Sequence, residues 1–384
     1  MDLRRIAVVA CAIVGGLGRP ARADFPPITS RAYAIDLYDG VALGSHTMVG
    51  MGGAGAANVI GTAGVLLNPS AIGVRPTTDL DEWSIDYHLD LLTSTLSSDY
   101  DNNGQDASGG ASLITLGLGG RYHDWALAIT GTVQSTPLTS ELDAQAVRGR
   151  VTLAHWIPEL DLAVGGGVQT AGFEIKPDVG PALFSVSGVG LIAGATWLPR
   201  GESFRLAAAL ESPIDGGEVK GDCDPNNCNG YILPERVRAP WRVVAGGAIR
   251  RADSAWNQMV AGPWRDEKAL TLAADVVVTG ATDNGYGLEA FGMKSLQPSG
   301  RHVVISLRGG LEYEWLPGRL RVRGGAYWEP GRFEDVGGRI HETFGIDLRI
   351  GQFHLWGPRR GRLSLTSDVA TRYRNGGISI GFWH

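Results

Sequence analysis

From Trp83 to the C-terminus one pattern recurs, an apolar residue at every second position, and it limits what this chain can fold into more than any other feature. A period of two puts alternate side chains on opposite faces of a β-strand, so each stretch has one greasy face and one polar face. In 303–315, Val303, Ile305, Leu307, Leu311, Tyr313 and Trp315 alternate with Ser306, Arg308, Glu312 and Glu314. In 83–92, Trp83, Ile85, Tyr87 and Leu89 alternate with Ser84, Asp86, His88 and Asp90. Similar alternation runs through 204–211, 241–250, 270–278, 341–350, 361–372 and 376–383, and no helical period is comparably sustained.

Fourteen candidate strands follow: 81–98, 111–120, 124–134, 145–156, 159–171, 183–197, 202–212, 239–250, 269–280, 301–315, 319–329, 339–356, 361–372 and 376–383. The number is even, and most are near the nine to eleven residues that a tilted strand needs to cross a bilayer. A soluble sandwich would alternate too, so the loops decide more. Connections after the second, fourth, sixth, tenth and twelfth strands are short, whereas those after the first, fifth, seventh, ninth and eleventh are mostly longer and polar. Tight turns at one end and long loops at the other are expected of outer-membrane barrels. The segment 251–268 breaks the rule on the short side, and the tight link near Arg374 breaks it on the long side.

Tryptophan is an independent line. Trp156, Trp197, Trp315 and Trp356 each stand two residues before a proline, and Trp83, Trp125 and Trp383 fall at the same level in this topology. This reads as an aromatic girdle at one membrane boundary, with Trp241 and Trp328 at the other. Trp156 has the wrong parity relative to Val151 and Leu153, so a bulge or strand end is expected to turn it outward.

Composition removes competing classes. Of 384 residues 56 are glycine, about twice the usual share of roughly 7%, with no collagen-like period. Beyond the first 23 residues no run of 18 apolar residues occurs, which excludes spanning helices. Only four basic residues are lysine (176, 220, 268 and 294) and the net charge is -6, so no nucleic-acid partner is expected. Residues 1–23, with Arg4-Arg5, an apolar stretch from Ile6 to Leu17 and Ala21-Arg22-Ala23, read as a signal peptide. In an oxidising compartment Cys223 and Cys228 are expected to form a disulfide that pins a small polar loop; a metal site is the weaker reading, since no histidine stands beside them.

If the apolar face meets lipid, the polar face lines a closed lumen, because only a closed sheet satisfies its backbone in hydrocarbon. The lumen-facing set includes Asp86, His88, Asp90, Arg308, Glu312, Arg321, Arg323, Asp347 and Arg349, with Arg148, Arg150, Arg205, Glu211, Arg242, Asp275, Glu314, Arg362 and Asp368 beside them. Both signs are interleaved, so structural ion pairs are expected.

Residues 24–80 do not read as strands. The stretch Val49 to Asn58, which contains Gly52, Gly53 and Gly55, is made of tiny residues able to pack inside another structure. Gly50-x-Gly52-x-x-Gly55 matches a dinucleotide fingerprint in letters only, since no βαβ unit surrounds it. A small-residue segment, then Asn68-Pro69-Ser70, then fourteen strands resembles the FadL-like outer-membrane transporters of long-chain fatty acids and other hydrophobic compounds. Leu320 to Pro330 and Arg339 to Gly345 extend the resemblance. It implies an all-β fold, a 14-strand antiparallel transmembrane β-barrel, divided into a signal peptide (1–23), an N-terminal hatch or plug (24–80) and the barrel (81–384). It also implies a channel in the outer membrane of a Gram-negative bacterium for passive uptake of hydrophobic small molecules. Asn68 and Pro69 would belong to the hatch turn, and Ser70 stands where the family usually has alanine. Partners would be outer-membrane lipid and a hydrophobic small-molecule substrate; a monomer, no cofactor and no metal are expected. A protein-docking or secretion-shuttle barrel and a general porin are the alternatives.

Candidate chemistry is sparse. Asp99-x-Asp101-x-Asn103-Gly104-x-Asp106 spaces oxygens as a calcium loop does, but Gly110 stands where a bidentate glutamate is needed, so a solvated polar loop is expected. His88, His155, His341 and His354 have no nucleophile at motif spacing and no G-x-S-x-G occurs, so no enzyme is expected.

Overall fold

A computed structural model describes residues 25–37, 44–78, 81–93, 99–105, 110–221, 223–260, 262, 264–355 and 357–383. The signal-peptide reading of 1–23 and the girdle position of Trp356 lie outside the described residues. In chain order the strands are β1 (Ala34–Asp36), β2 (Trp83–Thr93), β3 (Ser112–Tyr122), β4 (Trp125–Thr139), β5 (Leu142–Ile157) and β6 (Leu162–Pro177). Then come β7 (Phe184–Trp197), β8 (Phe204–Glu211), β9 (Ile214–Glu218), β10 (Arg236–Ala239), β11 (Arg242–Arg251) and β12 (Leu270–Thr279). The last are β13 (Gly285–Tyr286), β14 (Val304–Leu316), β15 (Leu320–Glu329), β16 (Arg339–His354), β17 (Pro358–Ala370) and β18 (Tyr373–Phe382).

Fourteen of these, β2 to β8, β11, β12 and β14 to β18, close one antiparallel barrel. Each pairs with its barrel neighbour in sequence. The ring is sealed where Gly376 to Gly381 of β18 pair with Thr93 to His88 of β2. Closure follows from the alternation, since the outward rows are apolar and exposed: Leu116 and Leu118 on β3, Ile129 on β4, Leu191 on β7, Leu307 on β14 and Ile340 on β16. The inward rows carry Thr, Gly, Ala and charge, as Thr115, Thr152, Asp275, Arg308 and Asp347 show, all of them buried.

Trp83, Trp125, Trp197 and Trp315 are exposed near the ends of their strands, where the turns are tight. Two other tryptophans depart from the expectation. Trp156 does not swing outward: β5 and β6 pair without a register shift from Leu142 to Ile157, and the indole stays half-buried against a cluster containing Val74 and Leu198. Trp383 is buried under the Arg321 guanidinium, which lies 4.3 Å from its ring centroid.

The N-terminal region also holds a strand that alternation did not signal. β1 pairs in parallel with β10 and β13, and β9 completes a four-stranded sheet at the long-loop end. Beneath it lies a core of Tyr33, Ile35, Leu37, Phe173, Phe184 and Phe291. The loop at 99–105 is not solvated either: Asp99, Asp101, Asn102 and Asn103 are all buried. Cys223 and Cys228 are disulfide-bonded, 5.2 Å apart at Cα, in the connection between β9 and β10.

Candidate functional site: the barrel interior

Residues 44–78 occupy the inside of the barrel, threading from the long-loop end toward the tight turns. They hold two short helices, α1 (His46–Gly50) and α2 (Gly61–Val65), and a 3-10 turn, Pro69–Gly73. Such brief helices are marginal alone. Here packing against the wall supplies what propensity does not. Met48, Met51, Ala54, Ala56 and Ala57 meet Ala207, Val244, Ala248, Ala273 and Val277 of β8, β11 and β12.

Small residues are needed because backbone meets backbone. At Gly52, with φ +60°, a Cβ would stand 2.5 Å from the Gly309 carbonyl oxygen and 2.6 Å from the Ala326 amide nitrogen. The Asn68-Pro69 turn likewise lies over wall glycines, since a Cβ on Gly165 would be 2.5 Å from the Pro69 carbonyl oxygen. Gly53, Gly55, Pro69 and Ser70 are buried with them.

Polar bonds pin this segment around the whole circumference. Asn68 Nδ2 donates to Thr196 Oγ1 of β7 at 2.8 Å and to the Ala56 carbonyl at 3.0 Å, while its Oδ1 accepts from the Ser70 amide and hydroxyl. The Gly55 and Ala56 amides both donate to Asp275 Oδ2 of β12, at 2.8 and 2.9 Å. The Gly52 amide donates to Thr343 Oγ1, and Thr62 donates through both its amide and its hydroxyl to Asp86 Oδ2. His46 Nδ1 contacts Thr366 Oγ1 at 2.7 Å. Arg150 donates to the Val65 and Leu66 carbonyls at the end of α2, where helix carbonyls lack partners.

The residues expected to face the lumen fall into three groups. Asp86, His88 and Asp90 of β2 meet the inner segment: His88 Nδ1 is 2.8 Å from Thr62 Oγ1, and Asp90 Oδ1 accepts from the His46 amide at 3.3 Å. Arg323 is bound by Asp347 at 2.5 and 2.7 Å and by Glu312 at 2.7 Å, and Arg321 holds Glu314 at 2.5 Å. Arg308 donates to the Gly53 carbonyl at 3.4 Å. Arg349 is half-buried on β16 opposite Arg362 of β17 and joins neither network. The wall threonines 196, 343 and 366 were not singled out in the sequence, because threonine on a strand carries no signal beyond β-propensity.

Two cavities flank the inner segment. The one toward the loops, about 110 Å³, is lined by Leu37, Met48, Leu66 and Leu113 together with Arg148, Arg150, Arg242, Arg308 and Glu211. Glu211 binds Arg150 at 3.1 Å and Arg242 at 2.5 Å. The one toward the turns, about 220 Å³, is bounded by Asn58, Ile60, Asp86, Trp256, Arg265 and Arg321 among others.

No family model and no curated protein matches the sequence. Solved structures do match in fold. A Pseudomonas aeruginosa FadL homologue superposes with TM-score 0.54 at 12% identity, covering 89% of this chain and 97% of that one. The Ralstonia pickettii toluene transporter TbuX gives TM-score 0.52 at 15% identity over 88% of this chain and 96% of that one. The CymD monoaromatic hydrocarbon channel gives 0.55 at 14%, over 90% and 97%. With nearly the full length of both chains superposed in each case, the chain has the FadL-like fold.

Proposed function

We propose that the chain is an outer-membrane channel for passive movement of hydrophobic small molecules, with residues 24–80 acting as its hatch. The observation that carries this reading is the inner segment itself: it separates two cavities and is held by individual polar bonds rather than by strand pairing with the wall. A plug attached this way can shift while the closed ladders of the barrel stay intact. No energy source is needed, because a solute descends its own gradient through small steps between cavities.

The chemistry of the loop-side cavity favours an amphiphile. Leu37, Met48, Leu66 and Leu113 offer apolar contact, and Arg148, Arg150, Arg242, Arg308 and Glu211 line the same cavity. Guanidinium groups beside apolar side chains suit a carboxylate head group on an alkyl chain, and so a fatty acid, better than the monoaromatic hydrocarbons named for CymD and TbuX. About 110 Å³ is below the roughly 300 Å³ floor of ordinary ligand pockets, so passage of a long chain requires the hatch to move. The test is uptake of labelled fatty acids and of toluene in cells lacking the chain and in cells carrying it. Fatty-acid uptake is expected to fall on deletion while toluene uptake changes less; unchanged uptake of every hydrophobic compound would sink the proposal.

A further inference from the structure

The buried loop at 99–105 packs against the short helix α3 (Leu288–Gly292) and the residues that follow it, at the long-loop end of the barrel. Asn103 is the hub. Its Nδ2 donates to Glu289 Oε2 at 2.5 Å, and its carbonyl accepts from Gln297 Nε2 at 2.6 Å. Asp101, Glu289 and Gln297 are each at most 4% exposed. Yet Asp101 Oδ1, Glu289 Oε1 and Gln297 Oε1 accept no hydrogen bond from the described residues. Three orphaned side-chain oxygens around one asparagine form a conspicuous exception to the rule that buried acceptors are satisfied.

A shared proton is the simplest rival account. It would satisfy both carboxyl oxygens, one as donor and the other as acceptor, but leave the Gln297 amide oxygen as it is. The neighbouring guanidiniums do not answer either: Arg339 gives its N–H groups to the carbonyls of Asp99 and Tyr100 and to Glu329, and Arg372 donates to the Gly104 carbonyl and pairs with Asp99. What satisfies two carboxylate oxygens and an amide oxygen together is a hard cation. The three donors are all oxygens, two carboxylates and an amide, a set that suits a hard cation and not zinc.

We propose that Asp101, Glu289 and Gln297 bind one calcium ion, which ties the first outer loop to α3. Calcium fits better than magnesium, because calcium takes carboxylate and amide oxygens in irregular geometry whereas magnesium keeps most of its waters. Burial pushes the Glu289 carboxyl up to about 7 and Asp101 well above its usual range, with Glu289 adding repulsion at Asp101. A divalent ion placed between them removes that penalty. The ion would also brace the N-terminal residues, since the Ile28 amide donates to the Lys294 carbonyl and the Leu296 amide to the Pro26 carbonyl just beyond α3.

None of the three ligands belongs to residues 24–80 or lines either of the two cavities, so the site stands or falls independently of the transport reading. The full chain in detergent, stripped with EDTA, is titrated with calcium by equilibrium dialysis and by thermal unfolding. One ion per chain is expected, with a dissociation constant on the order of 10⁻⁴–10⁻³ M, as in extracellular calcium modules, and with weaker binding of magnesium. D101N and E289Q are each expected to weaken binding at least about tenfold, since ligand charge sets calcium affinity. Should neither variant fold, terbium replaces them: its emission is sensitised by the neighbouring Tyr100 and is expected to fall in Y100F and on addition of calcium. No saturable calcium binding by the parent chain, binding unchanged in both folded variants, or terbium emission indifferent to Y100F would each overturn the proposal.

Discussion

Asn68 makes four hydrogen bonds from one fully buried amide, and it does so at a turn whose backbone lies against Gly165 of the wall and whose Asn68 and Pro69 side chains lie against Gly194. Asn68→Ala leaves Thr196 and the Ala56 carbonyl without this donor, at a cost of about 1–3 kcal/mol to the seating of the inner segment. Protease sites within 44–78 are therefore expected to open in the variant, while the heat needed to unfold the barrel on gels stays the same. Gly52→Val acts more severely, because its Cβ would stand 2.5 Å from the Gly309 carbonyl oxygen and φ is positive there. Folded barrel with a displaced inner segment is the expected product, seen as faster hydrogen exchange of 46–57. Ser70→Ala loses only a hydroxyl shared between Asn68 and Thr196, and a smaller effect than Asn68→Ala is expected. These residues were legible as a compact small-residue stretch and a turn. Their wall partners were not, since the glycines that receive the segment look like any others in a glycine-rich chain.

Between elements, the strongest unit is the Arg323 guanidinium held between β14 and β16. It is fully buried with Asp347, so removing one partner strands a charge away from water. Asp347→Ala is expected to lower barrel stability by about 3–5 kcal/mol, read as an earlier thermal transition in detergent. At the turn end Asp266 is tied to Arg360 by two bonds of 2.5 and 2.8 Å. The hydrogen bond from Arg360 holds the Asp266 carboxyl below its ordinary value. A depressed carboxyl contributes stability above the unfolded pKa of about 4, and loses it as pH falls through the lower folded value. Acid should then free the long turn near Trp264, over which Arg360 also stacks, and the tryptophan emission is expected to report this before the barrel opens. The fourteen barrel strands were readable from alternation because lipid and lumen impose opposite polarity on neighbouring residues. β1, β9, β10 and β13 were not, since two to five residues are too few to show a period. Trp383 was misread by judging level without parity: Ile378 and Ile380 face outward, which turns residue 383 inward toward Arg321.

For the whole molecule the decisive relation is between a wall that closes on itself and a segment that merely fills it. Each barrel strand is paired with two barrel neighbours and with no residue of 44–78, so the ladders do not depend on that segment. Deleting 44–78 should therefore leave a barrel that still migrates differently on gels before and after boiling. The cost is confined to inward groups that lose partners, chiefly Asp275, Asp86 and Arg150, and these become hydrated once water enters. A hydrated lumen no longer offers separate cavities, and ions cross it freely. Single-channel conductance in planar bilayers is expected to rise from near the baseline in the parent chain to a steady open level in the deletion. Selectivity for hydrophobic solutes should weaken at the same time, because the apolar contacts of Met48, Leu66 and Leu67 go with the segment. A deletion that folds but conducts no better than the parent would mean that the loop-end sheet of β1, β9, β10 and β13, and not the inner segment, seals the barrel.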